Sequence, residues 1–135
     1  QIAGAKITAK TCFPAGTMIS TPSGSKPIEQ IELGDVVQTA KGSRVVEKVS
    51  MAIDDTLKIT TNATEVSCTP AECLLTPDGG KTAESIKGGD TLVSKYAMQR
   101  VKSVEPDKKQ TVYHIHVPYF FANGICVVGY GEGEQ

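Results

Sequence analysis

Short runs of β-branched and apolar residues, separated by turn residues, recur along the whole chain. Val, Ile and Thr are frequent in these runs, and Pro-x-Gly and Gly-Asp pairs interrupt them at short spacing. This composition is typical of strands joined by tight turns, and no window carries the 3.6-residue period of a sustained helix. The pattern predicts an all-β domain of many short strands, at residues 35–39, 44–51, 56–61, 65–68, 90–94, 99–104, 112–117 and 125–128.

Two segments of the chain repeat one another. Residues 21–35 read TPSGSKPIEQIELGD and residues 76–90 read TPDGGKTAESIKGGD, with eight of fifteen positions identical. Each copy opens with Thr-Pro-x-Gly, which is turn chemistry because Pro fixes φ and Gly adopts conformations that other residues resist. One short helical turn is predicted in each copy, at 27–31 and 82–86. Since a solenoid needs several stacked units, the repeat predicts one domain with an internal pseudo-twofold.

Composition and charge narrow the classes of function. The chain has 135 residues, 39% hydrophobic and 21% charged, which fits one globular domain with a modest core. A net charge of -1, with Lys and Arg scattered singly, argues against nucleic acid as a partner. No stretch approaches the roughly 20 apolar residues of a membrane span, and residues 1–10 lack the apolar core of a signal peptide. The compartment stays unknown, with the cytoplasm favoured, and the initial Gln indicates a segment of a longer protein.

The cysteines suit neither a disulfide scaffold nor a structural metal site. Four residues separate Cys68 from Cys73, and no second close pair of ligands follows them. We therefore expect no metal or other cofactor, and we interpret Cys68, Cys73 and Cys126 as packed thiols. One that lies near Cys12 could form a redox-sensitive disulfide with it.

Cys12 stands directly before a strand-like run and after a small, polar arm at residues 1–11. A thiolate is the strongest side-chain nucleophile, and at this place it could attack the carbonyl of Thr11 through a five-membered ring to give a thioester. Residue type alone favours a small buried hydrophobe over a nucleophile. Both interpretations stay open at this point.

Residues 12–35 resemble the opening of the Hint family, which includes inteins, bacterial intein-like domains and hedgehog autoprocessing domains. There, Cys-Phe-x-x-Gly-Thr precedes a strand, a turn and a Gly-Asp pair. Residues 66–76 resemble the family's Thr-x-x-His segment, residues 82–90 its second Gly-Asp turn, and residues 112–117 and 121–125 its closing strands. The resemblance implies a horseshoe-shaped Hint domain at residues 12–129, without an endonuclease insert, between flanking segments at 1–11 and 130–135.

The resemblance also implies roles for individual residues. Cys12 would be the nucleophile, Thr11-Cys12 the scissile bond, and Thr69 a hydroxyl that orients its amide, although an ordinary strand Thr is the alternative. Glu72 stands where the family carries the His that protonates the departing amine. It could do so only as a neutral acid, with a pKa raised by burial or by a nearby negative charge.

His114 and His116 lie two residues apart in a predicted strand and therefore point to one face. In the family the position of His114 is often an Asp or Asn near the reactive cysteine. Our hypothesis is that His114 takes over the acid-base task that Glu72 cannot easily perform. The alternative is that both are surface histidines on a half-exposed strand.

The C-terminal end departs from the family. Splicing members finish Ala-Asn-Gly-Ile-Leu-Val-His-Asn before Cys, Ser or Thr, whereas this chain has Val128, Gly129 and Tyr130 at the last three of those positions. Without that Asn there is no succinimide cyclisation, and we expect the downstream bond to stay uncut. Asn123-Gly124 is a chemically labile pair, but its place in the motif indicates a turn.

We therefore predict an intein-like autoprocessing domain that acts once, as a monomer, on its own flanking polypeptide. Cys12 would form a thioester with Thr11, and water, a small thiol or an external amine would accept the acyl group. Two alternatives remain: an inactive Hint scaffold that serves as a structural or interaction module, and splicing with atypical C-terminal residues.

Overall fold

The computed structural model describes residues 11–129, so the predicted tail at 130–135 and all but the last residue of the predicted arm lie outside the described residues. The regular elements of this part are β-strands and two 3₁₀ turns, which confirms the all-β class. None of its helical segments is long and apolar enough to cross a membrane. The 3₁₀ turns are Ile28–Gln30 and Ala83–Ser85, and the strands are β1 (Phe13–Pro14), β2 (Met18–Thr21), β3 (Gly24–Pro27), β4 (Val36–Thr39), β5 (Gly42–Val45), β6 (Val49–Thr61), β7 (Glu65–Cys68), β8 (Cys73–Thr76), β9 (Gly79–Thr82), β10 (Thr91–Val93), β11 (Met98–Ile115), β12 (Phe121–Ala122) and β13 (Ile125–Cys126).

All strand pairs are antiparallel. One sheet has the order β1-β11-β6-β7, with β10 also paired to β11, and a second has the order β13-β12-β2-β3. The hairpins β4-β5 and β8-β9 complete the fold. Isolated bridges at Thr39–Phe120 and Leu74–Val127 connect each hairpin to the closing segment of the chain.

Two long strands replace four of the predicted short ones. β6 has 13 residues and β11 has 18, and they pair along most of their length. The prediction of separate strands was wrong, because polar and charged residues within 52–55 and 105–111 interrupt the apolar runs on which the prediction rests. Those residues instead pair with one another in an exposed ribbon, where a register shift between Pro106 and Lys109 accommodates the proline.

The two halves repeat the same local interactions, as the sequence repeat predicts. In the first half Lys26 Nζ lies 2.9 Å from Asp35 Oδ2, and in the second half Lys81 Nζ lies 2.9 Å from Asp90 Oδ2. Each aspartate also accepts a backbone N–H from the residue three positions earlier. Both predicted helical turns are present as 3₁₀ turns. The two halves are therefore related by equivalent hydrogen bonds as well as by sequence similarity.

A single apolar cluster joins the two halves and anchors the start of the domain. It includes Ile19 from the first half, Leu74 and Leu92 from the second, and Phe13 from β1, which is 1% exposed. The Phe13 ring packs edge-on against Phe120 with centroids 5.9 Å apart. Because Phe13 is fixed in the core, the backbone just before it is held at the edge of the larger sheet.

Candidate functional site

Strand register brings residues from distant parts of the chain to the Thr11-Cys12 bond. β1 pairs with β11 through Phe13 and Tyr113, so that Cys12 lies beside the next residue of β11, His114. On the other side, β7 ends at Cys68, immediately before Thr69. Three of the predicted site residues, Cys12, Thr69 and His114, therefore meet at this bond.

Thr69 holds the nitrogen side of the bond. The Cys12 N–H donates to Thr69 Oγ1 at 3.0 Å, and the Thr69 N–H donates to the Cys12 carbonyl oxygen, also at 3.0 Å. Thr69 is completely buried and Cys12 is 1% exposed. These contacts fix the orientation of the amide.

His114 holds the carbonyl side of the bond. Its Nδ1 lies 2.9 Å from the Thr11 carbonyl oxygen and 3.4 Å from Thr11 Oγ1. Burial lowers the pKa of His114 and the charges of His116 and Lys48 lower it further, while the Thr11 carbonyl opposes them. The imidazole is therefore neutral at pH 7, and its nearer partner at Thr11 is the carbonyl oxygen rather than the hydroxyl.

Glu72 is buried in the same cluster as Thr69 and Cys12. It is 1% exposed, and it ends a turn in which its N–H donates to the Thr69 carbonyl oxygen at 3.1 Å. Its carbonyl oxygen accepts the Ala83 N–H at 2.8 Å, so the second 3₁₀ turn fixes it from outside. In the described part of the chain every buried side-chain nitrogen and oxygen has a hydrogen-bond partner.

The thiol of Cys12 is strongly held in its protonated form. Burial, followed by the charges of Glu72 and Asp54, raises its pKa to about 12. Burial and the charge of Glu72 likewise raise the pKa of Cys68. Attack by Cys12 at neutral pH therefore requires a group that takes the thiol proton in the same step.

Asp54 belongs to this environment although no sequence motif indicates it. It lies on β6 opposite Gln110 of β11, and only the register of that ribbon brings its charge near Cys12. The motif resemblance gave no signal for it, because Asp54 lies between two predicted strands and outside every motif that carries the resemblance.

His116 lies outside β11, two residues beyond His114. The two ring centroids are 5.7 Å apart. The backbone N–H of His116 donates to the Lys48 carbonyl oxygen at 3.0 Å. Burial and the charge of Lys48 lower the pKa of His116, whereas Glu47 raises it. His116 therefore belongs to the electrostatic surroundings of His114.

The downstream end of the domain is fixed by backbone contacts. The Val128 N–H donates to the Cys73 carbonyl oxygen at 2.9 Å, and the Val128 carbonyl oxygen accepts the Tyr119 N–H at 3.3 Å. Gly129 has a φ of 69°, and a Cβ atom added there would collide with the Val117 carbonyl oxygen. Tyr130 lies outside the described residues.

Asn123 and Gly124 form the turn between β12 and β13, as expected. The Asn123 side chain accepts the Met18 N–H and donates to the Glu65 carbonyl oxygen, each at 2.8 Å. Because both ends of the amide are engaged, this side chain holds the turn to two other strands.

In the described part of the chain no disulfide joins any two of the four cysteines. Within residues 11–129 no group of three or more His, Cys, Asp or Glu side chains is arranged to hold a metal ion.

Comparisons with known proteins agree with this architecture. The Hint domain family matches residues 11–73. No curated protein matches the chain. Among solved structures, the gp41-1 intein is similar with a TM-score of 0.80 and 25% identity, covering 86% of this chain and 96% of that one. A bacterial intein-like domain from Clostridium thermocellum has a TM-score of 0.78 and 24% identity, covering 88% and 98%. A DnaB intein from Synechocystis sp. has a TM-score of 0.76 and 20% identity, covering 87% and 97%.

These likenesses extend over both halves of the domain and not only over the segment that the family match covers. They support a general class of function, autoprocessing or splicing, in which the substrate is the flanking polypeptide. The chain is a Hint-fold domain, of the fold shared by inteins and bacterial intein-like domains.

Proposed function

We propose that this domain activates the peptide bond before Cys12 for N-terminal cleavage or acyl transfer. Cys12 Sγ attacks the Thr11 carbonyl carbon and a C–S bond forms. The bond between that carbon and the Cys12 nitrogen then breaks. The thiol proton ends on the freed amine, so that one amide and one thiol become one thioester and one amine.

The observation that carries this proposal is that side chains contact both sides of the Thr11-Cys12 peptide bond, its N–H and its carbonyl oxygen. Thr69 accepts the Cys12 N–H at 3.0 Å, and His114 Nδ1 lies 2.9 Å from the Thr11 carbonyl oxygen. An ordinary strand residue has its amide and carbonyl paired with a neighbouring backbone. Two side-chain contacts on one peptide unit, directly before a buried cysteine, favour reactivity over simple packing.

Glu72 is our candidate for moving the proton. Its N–H donates to the Thr69 carbonyl oxygen and Thr69 in turn accepts the Cys12 N–H, so Glu72 and Cys12 belong to one buried cluster. The charge of Glu72 raises the pKa of the Cys12 thiol. A carboxylate there can accept the thiol proton as sulfur attacks, become a neutral acid, and deliver the same proton to the departing amine. This cycle provides the neutral Glu72 that the task requires. His114 as the acid is the form of the proposal that the sequence analysis favoured.

The thioester would be resolved by water, a small thiol or an external amine. Val128 and Gly129 supply no side chain that could cyclise at the downstream junction, so we propose that residues 12–135 stay joined. The upstream segment leaves as an acid, a thioester or an amide according to the acceptor.

The test is a precursor with a reporter protein fused before Gln1, incubated with and without a small thiol. We expect release after Thr11, identified by intact mass, and its loss in Cys12→Ala. Cys126→Ala is the matched control, since it also removes a buried thiol. Release that persists in Cys12→Ala would exclude the proposal.

One observation favours an inactive scaffold instead. A thiol with a pKa of about 12, buried beside carboxylates, is a poor nucleophile unless its proton is taken during attack. A precursor that stays intact with thiol, while folded, supports this alternative. A product that ligates both flanks would support splicing with atypical residues.

A further inference from the structure

The contact between His114 and the Thr11 carbonyl oxygen fixes which ring nitrogen carries the hydrogen. A carbonyl oxygen only accepts hydrogen bonds, so the 2.9 Å contact requires a hydrogen on Nδ1. The Thr11 hydroxyl is further from the same nitrogen, at 3.4 Å. In a neutral imidazole, Nε2 is then the unprotonated nitrogen.

The surroundings keep this ring neutral. His114 is 7% exposed. From just beyond the end of its strand it faces the His116 ring, and from the segment before β6 it faces Lys48; both disfavour an added positive charge. Ser50 lies opposite it on β6, and Cys12 lies beside it before β1.

The first 3₁₀ turn, Ile28–Gln30, contributes one acidic residue to the surroundings of His114, Glu29. It lines the same cavity as His114, and its carboxylate accepts the Gly16 N–H at 2.8 Å. A neutral ring with a hydrogen aimed at a carbonyl is suited to stabilise charge that develops on that oxygen. It has no proton to give to an amine on the other side of the bond.

We infer that His114 acts as a neutral hydrogen-bond donor to the oxyanion that forms on the Thr11 carbonyl when Cys12 attacks, and not as the acid that protonates the departing amine. This inference rests on the proposed function and assigns a different task to one of its residues. Proton transfer is then left to Glu72. No bond to His114 forms or breaks.

A cavity beside the ring makes the inference testable by replacement. His114 forms part of the wall of a cavity of about 330 Å³ whose other walls include Ile28, Ile31 and Met51. His114→Ala enlarges this cavity at the carbonyl, so small azoles can enter the place of the lost ring. Imidazole carries an N–H when neutral, whereas 1-methylimidazole carries one only when protonated.

The first test uses thiol-dependent release after Thr11. Removing an oxyanion donor slows such reactions by about 100- to 1,000-fold, and we expect this loss in His114→Ala. At pH 8 imidazole should restore release and 1-methylimidazole should not. The ratio of wild-type to His114→Ala rates should stay constant between about pH 7 and pH 9, because a neutral donor does not titrate there. A ratio that falls about tenfold per pH unit, or equal rescue by both azoles, would overturn the inference in favour of an acid.

The second test does not depend on turnover. In the unreactive Cys12→Ala precursor, ¹⁵N NMR of the ring should show Nδ1 protonated and Nε2 unprotonated for His114 at pH 7. His116→Ala assigns the signals and serves as the control for loss of a nearby histidine. A ring protonated at Nε2, or at both nitrogens, overturns the inference even if the wild-type domain releases nothing. Absence of Cys12-dependent release with the Nδ1 tautomer present contradicts the proposed function alone.

Discussion

Cys12 combines a favourable position with an unfavourable ionisation. Burial and two carboxylates hold its pKa at about 12, while Thr69 and His114 hold the adjacent amide in a fixed orientation. A thiolate formed at Cys12 before the attack would be repelled by the negative charge of Glu72. The site therefore suits a reaction in which sulfur loses its proton as it attacks, and Glu72 becomes the residue whose replacement is most informative.

Replacing Glu72 by Gln should change ionisation and rate in opposite directions. Loss of the negative charge lowers the pKa of Cys12, since that charge is the largest contribution after burial. Loss of the carboxylate also removes the proton carrier, and general acid-base catalysis is worth about 100- to 10,000-fold. We expect a lower thiol pKa, measured by ¹³Cβ NMR of Cys12, together with slower release. Asp54→Asn is the control and should lower the pKa without a comparable loss of rate. Faster release in Glu72→Gln would contradict the carrier role.

Replacing Thr69 by Val should affect both folding and reaction. The variant keeps the shape of the side chain but leaves the Cys12 N–H without its acceptor, and a buried unsatisfied donor costs about 1–3 kcal/mol. We expect a lower free energy of unfolding by urea titration, and slower release because the scissile amide is no longer held. Thr69→Ser retains the hydroxyl and should retain most of the rate. Equal rates in the Val and Ser variants would show that the hydroxyl is only structural.

At the scale of elements, the sequence repeat predicted the Thr-Pro-x-Gly turns and the 3₁₀ turns of both halves, but not the strands that flank those Thr-Pro-x-Gly turns, β2 with β3 and β8 with β9. The reason is local: Thr-Pro-x-Gly and Gly-Asp impose turns wherever they occur. The β6–β11 ribbon was not predicted as continuous, because an exposed ribbon has no buried face to impose alternation. The apolar side chains at alternate positions of β6 are themselves exposed to solvent: Val49 is 38% exposed, Met51 68% and Ile53 70%.

The twin ion pairs should give both halves the same response to acid. Hydrogen bonding from the Glu32 N–H, then from Lys26, lowers the pKa of Asp35 below its usual 3.8; Lys81, then the Lys87 N–H, lowers that of Asp90. A depressed carboxylate pKa stabilises the fold above the unfolded pKa, and this contribution is lost as the pH falls through the folded value.

We therefore expect Asp35→Asn and Asp90→Asn each to lower Tm at pH 7 and to flatten the fall of Tm between about pH 5 and pH 2. Scanning calorimetry across that range measures both effects. The two variants should behave alike, because the geometry is the same in each half. A clear difference between them would show that the repeat is not energetically equivalent.

At the scale of the whole molecule, the site is assembled by contacts that are distant in sequence. Thr69 reaches Cys12 across 57 positions and His114 reaches Thr11 across 103. Motif resemblance could name these residues, since each stands at a recognisable place in the pattern. It could not say that His114 faces the carbonyl oxygen, because that depends on the register of β1 against β11. The effect of the Asp54 charge on Cys12 likewise depends on register, here the register of β6 against β11.

The downstream junction provides a test of how far the fold fixes the outcome of the reaction. Val128→His with Gly129→Asn restores the residue types of splicing members, yet the backbone at Gly129 has a φ of 69° and a Cβ there meets the Val117 carbonyl oxygen. We expect the double variant to lose stability and, where it folds, to keep residues 130–135 attached while still releasing the upstream segment.

Intact mass after incubation reports both ends at once, and urea titration reports stability. Gly124→Ala is the matched control for the backbone, since Gly124 has a φ of 86° with open space around its Cβ position. It should cost only the left-handed conformation, about 1–2 kcal/mol, whereas Gly129→Ala should cost more because it adds the collision. Release of residues 130–135 by the folded double variant would show that the missing asparagine, and not the backbone that surrounds it, keeps this end joined.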